Sequence, residues 1–85
     1  MDTVLTDLQK ITLKDILTTS GLKQRQVEDI FLLLSFKPER VQLAFYYRAC
    51  GETYDDCGKR IAVDESTIRY YLKENCGDIY LYLKT

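Results

Sequence analysis

Apolar residues recur at three- and four-residue steps along most of this chain, the period of amphipathic helices rather than strands. Val4, Leu5, Leu8 and Ile11, followed by Leu13, Ile16 and Leu17, describe one such helix or two short ones. "TTSG" (Thr18 to Gly21) ends it, because glycine is favoured just past a helix C-terminus. A second helix is predicted from about Leu22 to Ser35, with Leu22, Val27, Ile30, Phe31 and Leu34 on its inner side. "FKPER" breaks that helix, and Pro38 suits the first position of a third. This third helix, roughly Pro38 to Cys50, turns Val41, Leu43, Ala44, Phe45 and Tyr47 inward and closes at Gly51.

The stretch "ACGETYDDCGKRIAVDESTIRYYL" (Ala49 to Leu72) carries the most local information. Thr53 reads as an N-cap with Asp56 placed to return to it, opening a two-turn helix to Ile61. Asp64 reads as a second N-cap, for a helix through Ser66, Thr67 and Ile68 to about Glu74 or Asn75. Only Ala62 and Val63 separate the two, so the helices must cross steeply, as in a helix-turn-helix. Gly58 falls where their axes approach, and Ala62 in a turn where the backbone often takes a positive φ. Cys57, Ile61, Val63, Ile68 and Tyr71 or Leu72 supply the buried face. Glu65, Ser66, Arg69, Tyr70 and Lys73 are left outside.

The tail "GDIYLYLKT" alternates Ile79, Leu81 and Leu83 with tyrosines, which suits a short strand and a dimerisation edge, or else a last helical turn. "ITLKDILTTSGLKQRQVEDIFLLL" (Ile11 to Leu34) also reads as helix, turn, helix, either a second unit of the same kind or plain bundle packing. The expected fold is all-α, a small bundle of about five helices. Its 85 residues suit one domain, with N-terminal helices over 1–36, a helix-turn-helix core over 38–75 and a tail over 76–85.

Composition narrows the function. Apolar residues are 46% and charged residues 29%, a globular balance, and the longest apolar run, "IFLLLSF", is far short of the ~20 residues of a membrane span. "MDTVLTDLQK" lacks the basic and apolar regions of a signal peptide, so a cytoplasmic location is expected. Three cysteines spaced C-x6-C-x18-C, with no histidine, offer one ligand fewer than a structural zinc site wants. Packed thiols are therefore expected, with no metal. No His means no Ser-His or Cys-His pair, so no catalytic residues, cofactor or small-molecule ligand are expected.

"PERVQLAFYYRACGETYDDCGKRIAVDESTIRYYL", residues 38–72, resembles the helix-turn-helix of sigma-70-type region four and of response-regulator output domains. The matching elements are Pro38-Glu39-Arg40, Gly51 with Thr53 to Asp56, Gly58, Ile61-Ala62-Val63, and Asp64 with Thr67-Ile68. Ala62 stands where the turn glycine is commoner, and Cys57-Gly58 where an apolar-Ala pair is commoner. The resemblance implies binding to double-stranded DNA, with the second helix of the motif in the major groove. Carried over, Glu65, Ser66, Arg69 and Tyr70 face base edges, and Thr53, Thr67 and Lys73, with Lys59 and Arg60, contact phosphates. The chain then reads as a transcriptional regulator of bacterial, phage or archaeal-virus type.

Net charge bears on that expectation. The chain carries −1, and from Thr53 to Asn75 four cations face five carboxylates. Affinity for DNA comes largely from counterion release, so four cations support few contacts. Lys23, Arg25, Lys37, Arg40 and Arg48 would extend the basic surface if they fold to the same side, and a homodimer would double it. The alternative is a protein-interaction module that binds RNA polymerase, a sigma factor or another regulator, of anti-sigma or anti-repressor type. The seven tyrosines suit such an interface or the edges of a core.

Overall fold

Thr6 fixes the start of the first helix. Its Oγ1 accepts from Gln9 N at 3.1 Å, and Gln9 Oε1 accepts from Thr6 N at 3.0 Å, a complete capping box. The computed structural model describes residues 4–84. In chain order the helices are α1 (Asp7–Thr19), α2 (Gln24–Ser35), α3 (Glu39–Ala49), α4 (Tyr54–Ile61), α5 (Glu65–Tyr70) and α6 (Gly77–Lys84). A π-helical turn, Tyr71–Asn75, continues α5. The fold is all-α, with no strand among the described residues.

The N-terminal pattern forms one helix, not two. Within α1, Leu13 and Leu17 are buried and Ile16 is half-buried, whereas Leu8 and Ile11 point outward. Its end is a Schellman turn: Gly21 takes φ 99°, Gly21 N donates to Thr18 O and Leu22 N to Leu17 O. The same geometry ends α3 at Gly51, φ 92°, with Glu52 N donating to Tyr47 O. Pro38 lies one position earlier than expected. It is the N-cap of α3, with ψ 155°, and its carbonyl accepts the first helical bond from Gln42 N. That placement uses the fixed φ of proline without needing the N–H it lacks.

One core joins the elements: Leu13 and Leu17 from α1, Val27, Ile30 and Leu34 from α2, Val41, Ala44 and Phe45 from α3, Cys57 from α4, and Ile68 from α5. Leu72, Cys76 and Ile79 complete it from the C-terminal third. Among the described residues Gln42 is the buried polar exception. Its Oε1 accepts from Val4 N at 3.1 Å and its Nε2 donates to Lys37 O at 2.9 Å, tying the N-terminal segment to the α2–α3 turn.

Of the two readings of the C-terminal segment, strand or last helical turn, the helix is the one that forms. Residues 77–84 form α6, which packs on α2 and on the π turn. Burial explains the outcome. Ile79 is fully buried and Leu83, four residues on, half-buried, whereas Leu81 is 67% exposed, so the alternating row does not share a face. Lys37 Nζ donates to Asp78 Oδ2 at 2.8 Å and Tyr82 Oη to Asp29 Oδ2 at 2.7 Å, fastening α6 to the rest. A strand edge for dimerisation is therefore not what this segment offers.

Candidate nucleic-acid interface

The α4–α5 unit is built by local constraints. Thr53 Oγ1 accepts from Asp56 N at 3.1 Å and starts α4, though the bond runs one way and Asp56 does not return it. Gly58 is buried against the turn, and a Cβ added there would overlap the carbonyl oxygen of Val63. Ala62 takes the left-handed conformation, φ 59° and ψ 46°, and Val63 N donates back to Gly58 O at 2.9 Å. The chain is thereby reversed in two residues, and α5 packs against α4. Asp64 occupies the N-cap of α5, but its side chain makes no cap hydrogen bond, unlike the sequence-based expectation. The helix is held instead by its buried side, Ile68 and, one turn on, Leu72.

Glu65, Ser66, Arg69 and Tyr70 are exposed together on α5, and Lys73 is exposed on the π turn that follows. The π turn means that the second helix of the motif is not a regular α-helix to Asn75; its α-helical part ends at Tyr70. Arg69 Nη2 donates to Glu65 Oε1 at 3.0 Å, and the Arg69 guanidinium lies 4.5 Å from the Tyr54 ring centroid. Arg48 contacts that same ring from α3, at 4.8 Å. Tyr54 thus links three helices through two cation–π contacts. Spacing in the sequence gives no sign of this, because the partners lie on separate elements.

The expected phosphate contacts are more dispersed. Thr53 is exposed with its oxygen engaged in the cap, and Thr67 is half-buried. Lys59 Nζ pairs with Asp55 at 3.2 Å, and Arg60 Nε with Glu52 at 2.9 Å. These bonds raise the pKa of both cations, through hydrogen bonding first and carboxylate charge second. Arg60 also lies over Tyr47, 5.4 Å from its centroid. Among the described residues, Lys73 is the motif cation with no acidic partner within ion-pair distance. Of the cations expected to extend the surface, Arg40 joins Arg60 and Tyr70 along an open cleft between α3, α4 and α5, while Lys37 is held by Asp78.

The cysteines divide. Cys57 and Cys76 are fully buried in the core, as packed thiols, whereas Cys50 is exposed at the end of α3. Burial pushes the Cys57 thiol up, reinforced by the charge of Glu52, and burial raises Cys76 to about 11. Among the described residues no group of three or more His, Cys, Asp or Glu side chains is arranged to hold a metal ion. No described helix is long and apolar enough to cross a membrane. Compared with family models, curated proteins and solved structures, the chain matches none.

Proposed function

We propose that this protein is a sequence-specific, double-stranded-DNA-binding transcriptional regulator acting in the cytoplasm, with α5 as the helix that enters the major groove. One observation carries the reading. A two-residue turn with Ala62 in the left-handed conformation, closed over a glycine that tolerates no side chain, sets a short helix whose outward side chains, Glu65, Ser66, Arg69 and Tyr70, are all capable of hydrogen bonding to base edges. Thr53, Thr67, Lys59, Arg60 and Lys73 flank that face as phosphate contacts.

The second reading, binding to RNA polymerase, a sigma factor or another regulator, draws on the ion pairs. Lys59, Arg60 and Arg69 each hold a carboxylate, which lowers the number of phosphate counterions that one chain displaces. A mobility-shift series over increasing salt, on DNA flanking the protein's own gene, separates the two. The DNA reading expects a specific complex with a log–log salt slope of about −1 to −4 per chain. It also expects Arg69→Ala to abolish specificity while the circular dichroism spectrum stays helical. No shift even at low salt, with polymerase subunits co-purifying, would transfer the proposal to the second reading.

A further inference from the structure

Between α1 and α2 an apolar groove opens on the surface, with core residue Val27 at its floor. Ile11 from α1 and Val27 and Phe31 from α2 line it. Ile11 is 65% exposed and Leu8, one turn earlier, 73% exposed. Leu32, four residues after Glu28 and so on the same helical row, is also exposed. A cluster of this kind on a small surface marks a contact site.

Its two sides differ in charge, basic on α1 and carrying a single carboxylate on α2. Lys10 and Lys14, four residues apart, line it from α1, and Gln24 and Glu28, also four apart, line it from α2. None of Lys10, Lys14 and Glu28 forms an ion pair among the described residues; Glu28 accepts only a 3.3 Å hydrogen bond from Gln24. A uniformly acidic partner would be attracted by one rim and opposed by the other, and a basic partner the reverse. A second copy of this chain satisfies both rims. Across a two-fold axis, residue i meets residue j and j meets i, so Lys14 faces the partner's Glu28 twice over.

We infer that the α1–α2 groove is a homodimer interface, with Ile11 and Phe31 at its apolar centre, exposed Leu8 one turn away on α1, and Lys14–Glu28 pairs crossing the two-fold axis. The inference goes beyond the DNA-binding reading and stands or falls without it. In a DNA-binding protein the same dimer would double the number of α5 helices presented.

Sedimentation equilibrium on the full chain tests it. The wild type is expected at twice the 10.0 kDa chain mass as concentration rises. Ile11→Glu places a carboxylate at the centre of the groove and leaves a monomer; Ile11 is exposed, so its helical dichroism is retained. Lys14→Glu alone and Glu28→Lys alone each put like charges across both symmetric contacts, raising the dimer dissociation constant on the order of tenfold. Mixing those two variants restores wild-type affinity, because in the heterodimer every crossing pair is again opposite in sign. A wild type that stays monomeric, a dimer indifferent to Ile11→Glu, or a mixture as weak as its components overturns the inference. Rescue by mixing cannot come from a contact within one chain.

Discussion

Arg69 donates to Glu65 at 3.0 Å across one turn of α5, so two side chains of the proposed base-reading face hold each other in the free protein. Both are largely solvent-exposed, and such an i, i+4 pair contributes only about 0.3–0.5 kcal/mol to folding. Its effect on DNA binding should be larger than its effect on stability. Arg69→Ala is expected to leave the melting temperature within a few degrees of wild type while removing specific DNA binding. Glu65→Gln releases the guanidinium and removes a carboxylate from the approach to phosphate, so non-specific affinity rises and specificity falls. Competition binding with operator and random DNA measures both.

Gly58 and Ala62 make opposite demands on substitution. A methyl group at Gly58 meets the backbone carbonyl of Val63, which cannot move without opening the turn. Gly58→Ala should therefore destabilise the fold by about 1–3 kcal/mol despite the better helix propensity of alanine. Ala62 already occupies the left-handed region that disfavours a Cβ. Ala62→Gly relieves that strain and should add about 0.5–1 kcal/mol, net of the extra entropy of the unfolded glycine. Urea unfolding of the two variants checks the pair of signs.

These two residues also mark what the sequence makes legible. The unit from Thr53 to Ile68 is specified by neighbours: a cap, a glycine under a turn and a two-residue connection are all readable within sixteen positions. The failures are where long-range packing decides. Ile79, Leu81 and Leu83 fit a strand period, but burial of Ile79 beside α2 and the π turn selects a helix. Leu8 and Ile11 fit the same apolar stripe as Leu13 and Leu17, yet the stripe divides into an inner and an outer row. At the candidate interface the identity of the exposed α5 residues was readable. The Tyr54 stack and the Glu52–Arg60 pair were not, since the first joins three helices and the second ties a residue of the α3–α4 connection to the far end of α4.

Gln42 is a second place where distance in sequence hides an interaction. Only 3% exposed, its amide satisfies Val4 N and Lys37 O, groups 38 residues before it and five before it. Gln42→Leu leaves the part-buried Val4 N–H and Lys37 carbonyl without this partner, a loss of about 0.5–1.5 kcal/mol. Amide exchange should locate the effect. The Val4 N–H loses protection first, ahead of the amides of α4 and α5, whereas a uniform loss would mean that the side chain acts only by filling space.

Alkali should unfold the protein through its buried acids. Burial raises Cys76 to about 11, and it raises Tyr80, packed 5.9 Å from the Phe45 ring, to about 12. In the unfolded chain these groups release protons near their ordinary values of 9.0 and 10.0. Between about pH 9 and 12 the native state thus binds more protons than the unfolded state, and stability falls as pH rises. The two contributions are fully present below pH 9 and are lost in sequence, that of Cys76 by about 11 and that of Tyr80 by about 12. Thermal melts from pH 7 to 11 should show a plateau and then a steep descent. Cys76→Ala, which opens a small cavity, lowers the plateau but flattens the first part of the descent. The same burial governs thiol chemistry: at pH 8 an alkylating reagent should modify exposed Cys50 rapidly and reach Cys57 and Cys76 only on unfolding. Equal labelling of all three thiols in the folded protein would contradict the packing of the core around them.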